Sequence, residues 1–164
     1  MRPNKPFCLP QFLASGFGSG YLPSMPGTWG TVVGLLLSWP LKPFGAVAFL
    51  SATIFTFFLG WKLSHQLIKN QPSDTDPSYI VIDEIAGLFL TYCLIDWMMG
   101  ELSIQALGIG FLLFRLFDIW KPCPIGWVDE KLASSIQTAG LGVMVDDLMA
   151  AIPAAATTIL VLFL

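Results

Sequence analysis

The chain has 164 residues, of which 55% are hydrophobic and 12% are charged, with a mean hydropathy of +0.72. Soluble domains carry about 25% charged residues, so this composition disfavours an ordinary soluble enzyme. Its net charge of −3 is opposite in sign to the basic footprint of nucleic-acid-binding proteins. The 13 Phe and six Trp exclude a disordered chain. A small integral membrane protein is the main interpretation, and a soluble helical bundle with a very apolar core is the alternative.

Long apolar stretches follow one another along the chain and predict an all-α, compact integral-membrane helical bundle. The uncharged stretch 43–61 has the length of one membrane-spanning helix, because about 20 apolar residues cross a bilayer. The stretches 80–98 and 103–120 are as long but contain ionisable groups, whereas 29–41 is either a short span or a re-entrant element. We therefore predict a single domain, residues 1–164, with about five membrane-embedded helices: 29–41, 44–62, 80–98, 103–120 and 143–163.

The basic residues predict the orientation of this bundle, because Lys and Arg are enriched in cytoplasmic loops. With a cytoplasmic N-terminus, all eight Lys and Arg residues except Lys42 fall on the cytoplasmic side. Omitting the first span would put Arg2 and Lys5 on the opposite side from most of the others. The sequence thus predicts a multi-pass protein of the cytoplasmic membrane.

The acidic residues gather on the same side. Of the eleven, only Asp96 and Glu101 fall outside in this topology. Ionisable residues within a membrane are costly and are functional candidates by default. Six of them lie at the cytoplasmic ends of the third, fourth and fifth predicted spans: Asp83, Glu84, Arg115, Asp118, Asp146 and Asp147.

A carboxylate cluster at one depth predicts a bound cation, because the carboxylates otherwise repel one another. Carboxylates without His or Cys suit a hard divalent ion, and Mg²⁺ is the leading candidate. Arg115 and Lys121 lie three residues before and after Asp118, so positive charge accompanies the cluster. A metal beside Arg and Lys favours a phosphate ester as substrate. A structural Arg115–Asp118 helix pair is the alternative for that pair alone.

Three other features have a functional and a structural interpretation. His65 is the only histidine. Because it is predicted to lie beside the cluster, the functional and the structural interpretations of it have equal weight. The glycine run 16–20, followed by Pro26-Gly27-Thr28, would let backbone N–H groups approach a phosphate or would form a close-packed turn. The loop acids Asp74, Asp76, Asp129 and Glu130 are interpreted as solvated, without a role.

Several chemistries are excluded by missing motifs. No Cys is followed six residues later by Arg, a single His cannot supply paired catalytic histidines, and neither a phosphate-binding loop nor a nucleophile elbow occurs. The D-G-x-x-A-R signature of the CDP-alcohol phosphotransferases is also absent. A cation transporter would need ionisable groups along a path through the membrane, whereas these lie at one end.

Five blocks of the sequence resemble the phosphatidylglycerophosphatase A family, in family order and over residues 12–160. They are Gly16-Phe17-Gly18-Ser19-Gly20 with Pro26-Gly27-Thr28, Ser64-His65-Gln66, Asp83-Glu84-Ile85-Ala86-Gly87, the stretch 114–125 from Phe114-Arg115 to Pro124-Ile125, and Gly142-Val143-Met144-Val145-Asp146-Asp147. The third and fourth blocks are the specific ones.

The resemblance implies an all-helical, Mg²⁺-dependent phosphatase of the bacterial cytoplasmic membrane. Such an enzyme removes the terminal phosphate of phosphatidylglycerophosphate, a lipid of the bilayer, and yields phosphatidylglycerol for phospholipid biosynthesis. Its metal ligands would be Asp83, Glu84, Asp118, Asp146 and Asp147, and its catalytic residues Asp83, Glu84, Asp118 and Asp147. Substrate would contact Arg115, Lys121, Thr28 and His65.

The resemblance leaves open whether a carboxylate acts as base or as nucleophile, and Asp83 or Glu84 is the first choice for a base. A homo-oligomer is compatible with the sequence, and no nucleic acid is expected as a partner. The alternatives are another Mg²⁺-dependent phospholipid-headgroup enzyme or, with less support, a cation transporter.

Overall fold

A computed structural model of the chain describes residues 8–70, 77–123, 126–127 and 136–164, and the assigned secondary structure among them is helical. The predicted all-α class is therefore confirmed for this part of the chain. A short helix α1 (Leu9–Ala14) and two single 3-10 turns (Ser19–Tyr21, Lys42–Phe44) accompany five long helices. These are α2 (Pro26–Leu41), α3 (Gly45–Asn70), α4 (Ile82–Met99), α5 (Ile104–Trp120) and α6 (Ile136–Phe163).

Several helix ends follow from local sequence. Helix α2 begins at Pro26, whose fixed φ suits the first helical position. Helix α5 begins after Ser103, whose hydroxyl accepts a hydrogen bond from the Ala106 N–H at 3.0 Å. Helix α4 ends at Gly100, which adopts a left-handed φ of +73° as glycine readily does.

Helix α6 begins at Ile136, seven residues before the predicted start of the fifth span. Asp146 and Asp147 consequently lie inside this helix rather than at its beginning, which corrects the sequence-based expectation. The additional turns of α6 include Gly140, which packs against α3. A Cβ atom at Gly140 would lie 2.7 Å from the backbone nitrogen of His65. Tertiary packing thus stabilises a helical start that the charge pattern did not reveal.

Helix α4 is the centre of the bundle and packs against α2, α3, α5 and α6. Its side chains Leu88, Tyr92 and Ile95 are fully buried. The Tyr92 hydroxyl donates a hydrogen bond to the Leu107 carbonyl of α5 at 2.8 Å. Around α4, helices α3, α6 and α5 pack closely side by side, whereas α2 rests mainly on α4.

The long helices alternate in direction around α4. The first residue of α3, Gly45, lies beside Asp96 near the end of α4, and Phe49 contacts the ring of Tyr92 with centroids 5.9 Å apart. Helix α3 is therefore antiparallel to α4, and α5 is too, because Phe114 near its end packs on Gly87 near the start of α4. The starts of α2 and α4 and the ends of α3 and α5 consequently meet at one end of the bundle, here called the site end.

Two apolar helical stretches in the described residues are long enough to cross a membrane, Pro26–Asn70 and Thr138–Phe163. The first includes α2, the turn and α3. In its most apolar 18-residue window 22% is buried, and in that of the second stretch 39% is buried. Such exposure is unlike the core helix of a soluble protein, which is mostly buried. The two stretches therefore support membrane embedding, whereas the number of spans stays a prediction.

The packing predicts opposite effects for two glycine substitutions. Gly87→Ala is expected to lower the free energy of unfolding by about 1–3 kcal/mol, because its Cβ would lie 2.6 Å from the Phe114 ring and 3.0 Å from the Asp147 carbonyl. Gly108→Ala is the matched control, since a Cβ there meets no atom within 4 Å, and alanine favours the helix. Thermal unfolding in detergent measures both, and equal melting temperatures for Gly87→Ala and the native protein would contradict the packing described.

Candidate active site

A polar cavity of about 420 Å³ lies at the site end of the bundle. Four parts of the chain meet there: the start of α2, the segment before α4 with the first turn of α4, the end of α5 and the middle of α6. The lining residues are Met25, Pro26, Gly27, Ser78, Ile80, Asp83, Glu84, Arg115, Asp118, Ile119, Lys121, Val143, Asp146 and Asp147. The cavity thus contains all six ionisable residues that the sequence analysis placed at one depth, together with Lys121.

Three of the carboxylates converge closely and are here called the acidic triad: Asp83, Glu84 and Asp147. One oxygen from each lies within 4.8 Å of the other two. Asp83 and Glu84 are adjacent in the first turn of α4, and Asp147 reaches them from α6, where its residue is 2% exposed. Gly87 allows this approach, because the backbones of α4 and α6 come together at that position.

The acidic triad has the chemistry of a site for a hard divalent cation. Glu84 Oε2 and Asp147 Oδ2 are buried and accept no hydrogen bond from the described residues. Buried carboxylate oxygens without a partner are costly, and three converging carboxylates also repel one another. An oxygen-only donor set is the set that Mg²⁺ and similar ions prefer. The residues therefore fit the cation that the sequence predicts, although they do not identify it.

Two cations lie beside the triad and pair with the remaining carboxylates. The Arg115 guanidinium donates to Asp118, three residues further along α5, and also lies 3.8 Å from Glu84 Oε1. Lys121 Nζ donates to Asp146 Oδ2 at 2.6 Å. Asp118 and Asp146 were predicted as metal ligands together with the triad. In the structure they contact these cations, and a role as ligands stays a prediction.

The start of α2 closes one side of the cavity at Gly27. A Cβ atom at Gly27 would lie 2.9 Å from Arg115 Nη2 and would also run into the Glu84 carboxylate. Only glycine lets the α2 backbone come so close to this pair. The neighbouring Thr28, predicted as a substrate contact, lies outside the cavity lining. Its N–H donates to the Met25 carbonyl at 3.0 Å.

His65 lies away from the acidic triad, in a second cavity of about 410 Å³ on α3. Its described neighbours in that cavity are Phe58, Trp61 and Lys62. His65 Nδ1 is buried and has no hydrogen-bond partner among the described residues. The predicted contact between His65 and the substrate is thus not supported by this position, and stays a prediction.

The glycine run forms a close-packed turn, the structural alternative considered from sequence. A Cβ at Gly16 would lie 3.0 Å from the Val81 side chain, and one at Gly20 would clash with the Tyr79 carbonyl. The Val81 N–H donates to the Ala14 carbonyl at 2.9 Å. The turn therefore holds the segment before α4, part of which lines the cavity. The loop acids Asp74, Asp76, Asp129 and Glu130 lie outside the described residues.

Sequence reasoning missed the apolar part of the cavity wall. Ile119 is four residues after Arg115, so helical spacing alone places it on the same face of α5. Val143 precedes Asp147 by four residues in the same way. In contrast, Ser78 and Ile80 belong to no recognisable sequence pattern, and the glycine turn packs against their neighbours Tyr79 and Val81.

Comparisons with known proteins show the family to which the chain belongs. The sequence profile described as Phosphatidylglycerophosphatase A matches residues 12–162. A Haemophilus influenzae protein named phosphatidylglycerophosphatase A is 40% identical over 141 residues, which are 85% of this chain and 80% of that protein. An Escherichia coli protein of the same name is 34% identical over 144 residues, covering 85% and 76% of the two chains.

A Bacteroides thetaiotaomicron protein with the provisional name phosphatidylinositol-3-phosphatase is 29% identical over 158 residues, 90% of each chain. No solved structure matches the chain. The family profile nevertheless covers most of the chain, and the two relatives that share its name exceed 30% identity over three quarters or more of their length. The chain therefore belongs to the phosphatidylglycerophosphatase A family.

Proposed function

We propose that this phosphatase hydrolyses the terminal phosphomonoester of phosphatidylglycerophosphate to phosphatidylglycerol and inorganic phosphate, with Mg²⁺, at the cytoplasmic face of the bacterial inner membrane. The reaction would serve phospholipid biosynthesis. One observation carries the proposal: a buried acidic triad and two basic side chains, Arg115 and Lys121, line the same cavity of an apolar bundle. The names of the two more similar relatives support the choice of lipid.

The residues around the cavity suggest how it recognises a phosphate. Arg115 and Lys121 would bind phosphate oxygens, exchanging part of their contact with Asp118 and Asp146 for the dianion. The acidic triad would hold Mg²⁺, which when bound supplies positive charge against the phosphate oxygens. Asp118 and Asp146 would then keep the two cations aimed into the cavity. Without these positive charges, the carboxylates would repel the substrate.

The hydrolysis needs a group that takes a proton. In one route, Asp83 or Glu84 removes a proton from water while the water oxygen bonds to phosphorus and the phosphorus–oxygen bond to glycerol breaks. The leaving glycerol oxygen then takes up a proton. In the other route, a carboxylate oxygen bonds to phosphorus while the phosphorus–oxygen bond to glycerol breaks and the glycerol oxygen takes up a proton, and water later hydrolyses the acyl phosphate to inorganic phosphate and the free carboxylate.

The distribution of aromatic and basic residues supports the membrane orientation. The six tryptophans are all exposed, and four lie near the site end (Trp29, Trp61, Trp120, Trp127) and two near the other end (Trp39, Trp97). Exposed Trp at two levels is typical of the two membrane interfaces. Among the described Lys and Arg residues, only Lys42 lies at the end opposite the site. The positive-inside rule then favours a cytoplasmic site.

Loss of a triad carboxylate is expected to abolish hydrolysis. Asp83→Asn and Asp147→Asn should each lower kcat on phosphatidylglycerophosphate in mixed micelles by roughly 100-fold or more, because each removes negative charge from the proposed cation site. Asp96→Asn, on α4 at the end remote from the site, is the matched control and should retain native activity. Phosphate release measures all three, and native rates for the triad variants would contradict the site assignment.

Phosphatidylinositol 3-phosphate, assayed in parallel, tests the lipid choice and should be the poorer substrate.

Metal dependence is tested by removal and by direct binding. Treatment with a chelator should abolish phosphate release, and added Mg²⁺ should restore it. Mn²⁺ binding, followed by electron paramagnetic resonance, should weaken at least tenfold in Asp147→Asn, since metal affinity depends on each carboxylate. It should be unchanged in Asp96→Asn. Full activity in the chelator, or equal Mn²⁺ binding by the two variants, would overturn the cation site.

Cysteine labelling tests the topology. In a background with Cys8, Cys93 and Cys123 replaced, Asn70→Cys at the end of α3 should react with a membrane-impermeant maleimide only after the cells are opened. Glu101→Cys, just after α4, should react in intact spheroplasts, because it lies at the opposite end of the bundle. Labelling of Asn70→Cys from outside would reverse the proposed orientation.

A further inference from the structure

Helices α2 and α5 both border the cavity and are separated by a loosely packed gap. Helices α3, α6 and α5 pack tightly against their neighbours around α4, whereas α2 contacts α5 only sparsely. At the site end the Arg115 side chain bridges the two helices, since a Cβ atom at Gly27 would lie 2.9 Å from its Nη2, and Ile119 lines the cavity beside it. We call the gap the α2–α5 seam. It borders the cavity at Ile119 and lies beside exposed apolar residues of α5 such as Leu112.

One face of α5 extends from Arg115 along this seam towards the opposite end. Ile104, Gly108, Leu112 and Arg115 follow one another at intervals of four, four and three residues, so they share a helix face. Leu112 is 66% exposed, Ile104 is 68% exposed, and a Cβ atom at Gly108 would meet nothing within 4 Å. The distance from Arg115 to Gly108 along the helix is about 10 Å. The face is therefore open, and it carries no ionisable residue between Ile104 and Arg115.

We propose that the α2–α5 seam holds the acyl chains of the lipid substrate, along Leu112 and Gly108, while the terminal phosphate occupies the cavity. This inference rests on the proposed function. A cavity that opened only to water would require the lipid to leave the bilayer, which costs free energy for every methylene exposed. A cavity with a lateral apolar opening lets the headgroup enter while the chains stay among lipids. The seam fits this arrangement, because it joins the charged end to the apolar surface without crossing the core.

The exposed residues that border the cavity are consistent with lipid binding along the α2–α5 seam. Ile119 is 61% exposed on the α5 side and Met25 is 60% exposed on the α2 side. Both are apolar although they border a cavity lined by carboxylates and cations. Apolar residues at such a mouth suit a ligand that is charged at one end and apolar at the other.

Enlarging Gly108 tests the seam with little risk to the fold. Gly108→Leu places a side chain in open space, so we expect the native melting temperature and native Mn²⁺ binding. In mixed micelles of dioleoyl phosphatidylglycerophosphate its kcat/KM should fall about tenfold, mainly through KM, because chain positioning rather than chemistry is disturbed. Ser51→Leu is the matched control, since Ser51 is an exposed small residue at a similar depth on α3. It should keep native kcat/KM.

The outcomes separate this inference from the proposed function. If the native protein hydrolyses the lipid but Gly108→Leu and Ser51→Leu behave alike, the seam is wrong and the proposed function stands. A loss in kcat alone, with KM unchanged, also overturns the seam. If the native protein does not hydrolyse the lipid, the proposed function fails and the seam fails with it.

Photocrosslinking provides a second test that does not depend on turnover. With p-benzoyl-phenylalanine at Leu112 in an Asp83→Asn background, vesicles containing a small fraction of phosphatidylglycerophosphate in phosphatidylethanolamine should yield adducts several-fold enriched in the substrate lipid. The same probe at Ile54, a similarly exposed residue of α3, should yield adducts in proportion to the bulk lipids. Equal enrichment at the two positions, or none at Leu112, would overturn the proposal.

Discussion

The repulsion among five carboxylates in a largely buried cavity is the constraint on which the rest of this structure depends. Asp118 and Asp146 are compensated by Arg115 and Lys121, and Glu84 Oε1 also lies 3.8 Å from Arg115. The acidic triad has no comparable partner at Glu84 Oε2 or Asp147 Oδ2. Since uncompensated buried charge is costly, the protein alone leaves a deficit of positive charge. A divalent cation would reduce that deficit, and it would also offset the negative charge of a phosphate beside the carboxylates.

Glycines make this concentration of charge possible by letting backbones approach. Gly27 lets the start of α2 approach the Glu84–Arg115 pair closely. Gly87 lets the backbones of α4 and α6 come together beside Asp147. Gly140 performs the same task between α6 and α3. A methyl group at any of these positions would separate helices that position the cavity. The glycines contribute no chemistry themselves, so their importance lies in the distances they allow between charged side chains.

The sequence predicts the helical class and the gathering of charges at one end. Successive helices run in opposite directions, so every second connection between them lies at the same end of the bundle. It does not predict which carboxylates converge, since that depends on how each helix is rotated about its axis. Asp146 and Asp147 are neighbours in sequence, yet one contacts Lys121 and the other joins the acidic triad. The early start of α6 at Ile136 and the separate cavity of His65 depend likewise on packing between distant segments.

The weak packing of α2 against α5 follows from the same electrostatic constraint. Tight packing of two helices needs complementary apolar side chains along their contact, whereas the site end of this contact carries Arg115 and borders the Glu84 carboxylate. Charged groups that must stay accessible to a phosphate cannot be sealed by a neighbouring helix. The bundle therefore anchors α2 through its glycine-rich contact with α4 instead. What results is a loosely packed contact between α2 and α5 beside the cavity, which would suit a phosphate that remains attached to a lipid.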